Sequence, residues 1–269
     1  MTSAARSAGL RFAGLFLALG LLGAGCAGRH EDRRTLTVFA AASLADALPP
    51  LAERFARETG LPVRFHFGSS LSLANQVVHG APADLVLSAS PDVVARLGDR
   101  VISSRVLLSN RLVLAGRTGS ATPGPWPAAL GGPALRLTIG DPETVPAGRY
   151  AREALRHLGY WDAVQARLVP ALDVRAALAL LKGGNVDLAV VYATDLTGME
   201  GVRELYSFPE DSHPPIAYPA VVLRGPRVSE ASDLVDFLSS EPAYREFQKF
   251  GFLPPTRGAG PWQGRADRR

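Results

Sequence analysis

The sequence predicts an α/β protein whose strands and helices alternate along the chain in two series, each able to build a largely parallel sheet. Three observations carry that prediction. Apolar runs of strand length are followed by segments with apolar residues at helical spacing, glycines close those segments, and a Gly- and Pro-rich stretch at 116–127 separates the first series from the second. With 269 residues, 47% hydrophobic and 20% charged, the chain can bury one large or two modest cores and is too apolar for disorder.

The first series opens with the apolar run Thr35 to Ala42, a buried strand, followed by Leu44, Ala47, Leu48, Leu51 and Phe55 at helical spacing up to Gly60. Pro62 to Phe67 is a second strand, with a helix from Leu71 to Val78 ending at Gly80. Asp84 to Ser88 is a third, with a helix from Pro91 to Leu97. Arg111 to Ala115 adds another strand, and the turn formers of Gly116 to Pro127 (GRTGSATPGPWP) mark an interlobe crossing. The second series runs from the strand Leu135 to Ile139 through a helix over Pro146 to Leu158, a strand at Leu168 to Ala171, a helix over Val174 to Lys182 and a strand at Asp187 to Tyr192. After the Pro-rich stretch Ser207 to Tyr218, Ala220 to Leu223 resumes as strand and one long helix covers Ser229 to Phe250. That return implies that the chain crosses back to the first lobe. Residues 254–269 have no periodicity and are expected to form a loose, disordered tail, and no internal repeat is evident.

Residues 1–25 read as an export signal: a basic start with Arg6 and Arg11, an apolar stretch from Phe12 to Leu22 too short for an ordinary membrane span, and a small-residue run. Cys26 follows Leu22-Gly23-Ala24-Gly25 and resembles a bacterial lipoprotein processing site, although Gly23 stands where such sites usually carry an aliphatic residue. The expected mature form begins at a lipidated Cys26, with a charged linker over 26–34 and a membrane anchor through the lipid. Ordinary cleavage nearby is the alternative. As Cys26 is the only cysteine, no internal disulfide can form. The formal G-x-G-x-x-G at 23–28 has no strand before it and no crossover unit after it, so it is not a dinucleotide site.

The formal charge of +4 falls to about +2 without Arg6 and Arg11, and no basic stripe interleaved with aromatics appears, which argues against nucleic acid as a partner. Catalytic machinery is absent from the pattern. The five histidines show no zinc spacing, no G-x-S-x-G elbow occurs, and carboxylate pairs such as Asp92 with Asp99 or Glu210 with Asp211 lie in polar segments that suit solvation. Four strand-to-helix junctions place Ser43, Ser70, Ala147 and Val174 at helix starts, where unpaired N–H groups and the helix dipole favour an anion. Ordinary capping competes with that reading, because Ser43-Leu44-Ala45-Asp46 fits a capping box, Ser90-Pro91 a cap with a first-turn proline, and Asp173 a cap of its own helix. Tyr192 closes an apolar strand and can be either a core tyrosine or a hydroxyl at the sheet's carboxyl edge.

Five ordered segments together resemble the periplasmic molybdate-binding proteins of ABC importers: LTVFAAASL at 36–44, GAPADLVLSA at 80–89, GDPETVPAGRYA at 140–151, DVRAAL at 173–178 and VVYATD at 190–195. FPEDSH at 208–213 and FQKFGF at 247–252 extend the similarity, which spans about 35 to 253. The resemblance implies a two-lobed, type II periplasmic-binding fold, each lobe a mostly parallel sheet flanked by helices, with two interlobe crossings. The implied divisions are lobe 1 at 35–112 and 216–253 and lobe 2 at 113–215.

The same resemblance implies an oxyanion site made of Ser43, Ser70, Ala147, Val174 and Tyr192: hydroxyls donating from the two serines and Tyr192, backbone N–H groups from Ser43, Ser70, Ala147 and Val174. Ser69 is the alternative to Ser70, since Leu71 follows where relatives carry Gly or Ser. A donor-only site suits molybdate, tungstate or sulfate, fully ionised dianions with four acceptor oxygens, whereas a phosphate that carries a proton also needs an acceptor; cavity size would separate sulfate from the larger oxyanions. The expected protein is therefore a monomeric, periplasmic solute-binding lipoprotein that delivers molybdate or tungstate to an ABC permease, with no cofactor and no chemistry on its ligand. Other readings are a binder of sulfate or ferric iron, or an exported serine hydrolase using Ser43, for which no base stands at a recognisable spacing.

Overall fold

A computed structural model of the protein describes residues 35–120, 124–131 and 135–255. The expected signal segment, Cys26, the charged linker and all of the expected tail but Pro254 and Pro255 lie outside the described residues. Among the described residues, no helix is long and apolar enough to cross a membrane.

β1 (Leu36–Ala41) leads through one 3-10 turn (Ala42–Leu44) to α1 (Leu48–Thr59), β2 (Val63–Gly68) to α2 (Ser70–Val78), and β3 (Leu85–Leu87) to α3 (Asp92–Leu97) and β4 (Val101–Ser109). β5 (Leu112–Arg117), β6 (Leu137–Gly140), α4 (Pro146–His157), α5 (Trp161–Val164), β7 (Leu168–Ala171), α6 (Val174–Lys182), β8 (Leu188–Tyr192) and β9 (Val202–Ser207) follow. β10 (Ala217–Leu223), α7 (Val228–Leu238) and α8 (Glu241–Lys249) complete the fold.

The strands form two five-stranded sheets, ordered β2-β1-β3-β10-β4 and β7-β6-β8-β5-β9. Both follow one plan. Three strands lie parallel (β2, β1 and β3; β7, β6 and β8), and the fourth position runs against its neighbours (β10; β5). In each sheet the opposed strand is the one that has just arrived from the other lobe, so the two crossings and the two antiparallel strands have the same origin.

Helices cover both faces of the first sheet, which is why its three inner strands, β1, β3 and β10, read as nearly unbroken apolar runs instead of alternating ones. Val38 and Ala40 of β1, Leu85 and Leu87 of β3, and Ala220 and Val222 of β10 pack into one core with Leu51 and Phe55 of α1. The intervening Phe39, Val86 and Val221 pack on the opposite side with Leu73 and Val77 of α2 and Val93 of α3. In α1 the apolar positions recur on one buried face, prolines stand in the first turn where no intrahelical N–H is needed, and Gly60 ends the helix at φ +74°.

Several expectations need correction. The forward crossing is Asn110–Arg111, not the Gly116–Pro127 stretch: β5 pairs on one side with β8 and on the other with β9, so it belongs to the second sheet from Leu112 onward. The turn formers instead join β5 to β6 within that lobe. The single helix expected over 229–250 is two, because the Ser240 hydroxyl caps a new start at Ala243 N–H and a proline occupies its first turn. β4, β9 and the short α5 were not expected; β9 mixes exposed and half-buried positions and lacks the apolar run that marks the central strands.

Candidate ligand-binding cleft

Six parallel strands, three from each sheet, point their carboxyl ends at one small cavity of about 210 Å³ between the lobes. Its wall is built largely from alanines, serines and a glycine brought close together, so the cavity suits a compact ligand. Ser43, Ser70, Ala147, Val174 and Tyr192 all line it, and Ser69 and Asp173 stand beside them. All five assigned residues are buried.

Each is placed by a strand end. Ser43 sits in the 3-10 turn after β1, where its Oγ lies 3.0 Å from the Tyr218 hydroxyl. The capping box expected with Asp46 does not form. The turn has no side-chain cap, and Asp46 instead pairs with Arg175 of the other lobe. Ser70 opens α2, and its Oγ accepts the Ala89 N–H at 3.0 Å, which leaves its own hydrogen to be directed elsewhere. Ser69 precedes it, but its hydroxyl is used across the cleft, donating to the Thr144 carbonyl of the second lobe.

Ala147 lies in the first turn of α4, whose start has Pro146 and no side-chain cap. Val174 opens α6, and there the expected cap is present: the Asp173 carboxylate accepts the Ala176 N–H at 2.9 Å. One oxygen of the carboxylate is thereby engaged by its own helix. First-turn N–H groups have no intrahelical acceptor, so three helix starts aim polarised donors into one space.

Tyr192 ends β8 with its side chain buried and, among the described residues, its hydroxyl has no hydrogen-bond partner. Burial also pushes its pKa well up, so the group remains an O–H donor. A buried hydroxyl left unpaired costs free energy that a bound acceptor would recover. Next to it, Asp195 accepts the Tyr192 N–H at 3.0 Å, and burial pushes its pKa up to about 7.

Among the described residues, the cavity wall carries no Lys, Arg or His. Arg175 and Arg149, which follow the wall residues Val174 and Ala147 closely in sequence, are engaged with Asp46 and Asp92, each pair joining the two lobes. Asp92, expected to be merely solvated, is therefore an interlobe contact. Among the described residues, no cluster of three His, Cys, Asp or Glu side chains could hold a bare metal ion. The sequence reading missed Asn110, Tyr218, Thr194 and Asp195, which lie behind the cavity; all four are buried polar residues at the crossings or strand ends, and nothing in their spacing separates them from core positions.

A family model described as bacterial extracellular solute-binding protein matches residues 36–253. The chain is 38% identical to the molybdate-binding protein ModA of Escherichia coli, over 90% of this chain and 96% of that one. It is 34% identical to the putative ABC transporter substrate-binding lipoprotein YvgL of Bacillus subtilis, over 86% and 93%. Its fold superposes on the Azotobacter vinelandii periplasmic molybdate-binding protein with a TM-score of 0.73 at 24% identity, covering 82% of this chain and all of that one. With the family model covering both lobes and relatives aligned over nearly their full length, the chain belongs to the bacterial extracellular solute-binding proteins, in the ModA family.

Proposed function

We propose that this protein captures molybdate, and also tungstate, in the interlobe cleft and delivers it to an ABC permease, acting as a monomer held to the membrane by a lipid on Cys26. The observation that carries the proposal is the wall itself: the Ser43, Ser70 and Tyr192 hydroxyls and the first-turn N–H groups at Ser70, Ala147 and Val174 can all donate, and the carboxylate at hand, Asp173, caps its helix through Oδ1. A tetrahedral dianion with no proton needs such donors and no acceptor. Holding it by neutral dipoles also leaves no buried unpaired charge when the ligand departs, which suits a carrier that must release its cargo. The molybdate-binding names of the relatives agree with this reading.

Competitive titration calorimetry with molybdate, tungstate, sulfate and phosphate tests it. Molybdate and tungstate should both bind, sulfate and phosphate more weakly. In thermal denaturation a ligand at 100 times its dissociation constant should add about 2.7 kcal/mol of stability. Absence of any shift at millimolar molybdate would remove the proposal. Cysteine-directed lipid anchoring is checked separately, by whether Cys26→Ala moves the exported protein from the membrane to the soluble fraction.

A further inference from the structure

Behind Ser43 lies a hydrogen-bond chain that begins at the crossing between the lobes. Asn110 occupies that crossing, and its side-chain orientation is fixed because its Oδ1 accepts the Arg111 N–H at 2.9 Å. Its Nδ2 donates to the Thr194 hydroxyl of the second lobe at 2.8 Å and to the Tyr218 hydroxyl of the first at 3.2 Å. An amide nitrogen can only donate, so Tyr218 Oη is an acceptor from Asn110. Either oxygen of the Ser43–Tyr218 contact could donate by distance alone; with Asn110 donating to Tyr218, Ser43 Oγ at 3.0 Å is, among the described residues, the partner that can take the Tyr218 hydrogen. Ser43, with its oxygen so engaged, has its own hydrogen left for the cavity. Asn110, Tyr218 and Ser43 are all buried, so water does not relax this order. Burial also raises the Tyr218 pKa, which keeps the proton on the relay.

We infer that Asn110 is a specificity-determining positioning residue: through Tyr218 it forces Ser43 to act as a donor, and so makes the cleft reject oxyanions that carry a proton. This rests on the oxyanion reading of the cleft and deepens it. A hydroxyl free to rotate would offer a lone pair to a P–OH group as readily as it offers a hydrogen to a metal–oxygen bond. Fixing it in one sense creates a donor-facing-donor clash with hydrogen phosphate while leaving molybdate undisturbed. No residue of the relay needs to touch the ligand except Ser43.

Replacing Asn110 by Asp reverses the chain, because a carboxylate only accepts: Tyr218 would donate to Asp, Ser43 would donate to Tyr218, and the Ser43 lone pair would face the cavity. The readout is the ratio of molybdate to hydrogen phosphate affinity at about pH 8, where both ligands are dianions and the added negative charge weakens both alike. The ratio should fall by about tenfold to a hundredfold in N110D, the range set by one hydrogen bond to a charged group. Tyr218→Phe keeps the ring, which packs edge-on against Phe252 and Tyr192, and frees Ser43 to rotate; molybdate affinity should change little while the ratio falls. Should N110D fail to fold, Y218F decides alone. A folded variant of either kind that keeps the wild-type ratio overturns the inference while leaving the molybdate reading intact, and wild-type protein that binds no oxyanion overturns both.

Discussion

Arg175, in the first turn of α6, and Asp46, just after the first strand end, form an ion pair that joins one lobe to the other across the cleft. Arg149 and Asp92 repeat the arrangement between α4 and α3. Separating the lobes breaks both pairs. Each is partly exposed, so each should favour closure by only about 0.2–1 kcal/mol. Asp46→Asn and Asp92→Asn test whether closure or simple electrostatics dominates, because removing an acid near a dianion would by itself slow release. Loss of the latch should win and speed molybdate dissociation by up to about fivefold, with less effect at high salt. Stopped-flow traces showing slower release in both variants would rule out the latch.

The three hydroxyls of the cleft should respond differently to removal. Ser43→Ala and Tyr192→Phe each delete a donor to a charged acceptor and should weaken molybdate binding by about 1.5–3 kcal/mol. The Tyr192 hydroxyl is unpaired before ligand arrives, so Tyr192→Phe should leave the melting temperature of the ligand-free protein unchanged or raised. Ser70→Ala has the opposite signature: it orphans the buried Ala89 N–H, costing about 1–3 kcal/mol of ligand-free stability besides affinity. Calorimetry and melting of the three variants, each with and without ligand, separate these outcomes.

Gly148 sets how closely α4 can approach the end of β6. A Cβ there would lie 1.8 Å from the Gly140 carbonyl oxygen, a backbone atom that cannot rotate away. Gly148→Ala must therefore displace the helix start that presents the Ala147 N–H. It should destabilise the fold by at least about 3 kcal/mol and weaken binding in whatever folded protein remains. Denaturant unfolding that matches wild type would show that the helix can shift at no cost.

The first strand end of the candidate site was legible because β1 is an apolar run that stops beside a small polar residue, Ser43, and the start of α4 was legible because Val145-Pro146 places a proline in a first helical turn. The shared strand plan of the two sheets was not, because different sequences fill it and no repeat survives to signal it. Local pattern also misread Ser43 and Asp46 as a cap and its box, when long-range partners, Tyr218 and Arg175, claim both. Asn110 was invisible for the same reason: its role depends on Tyr218 and Thr194, 108 and 84 residues away. By contrast Asp173 was readable, since its partner Ala176 is three residues on.

Asp195 gives the protein a pH dependence whose sign follows from its burial. An aspartate in the unfolded chain ionises near pH 3.9, whereas in the fold burial lifts Asp195 to about 7, opposed by the Tyr192 N–H and Arg175 and reinforced by Asp46 and Asp173. Between those values the native state holds a proton that the unfolded state has lost, so stability declines as pH rises through the interval, by at most about 4 kcal/mol in all. The contribution is full below the unfolded value and gone above the folded one. Asp195→Asn keeps an acceptor for the Tyr192 N–H but cannot ionise, and should flatten the slope between about pH 4 and 7. A dianion bound beside Tyr192 raises the cost of ionising Asp195 further, so molybdate binding should take up protons near neutrality and weaken as pH rises from about 6 to 8. Calorimetry in buffers of different ionisation enthalpy measures that uptake directly; proton release on binding, or an Asp195→Asn profile that still falls with pH, would locate the titrating group elsewhere.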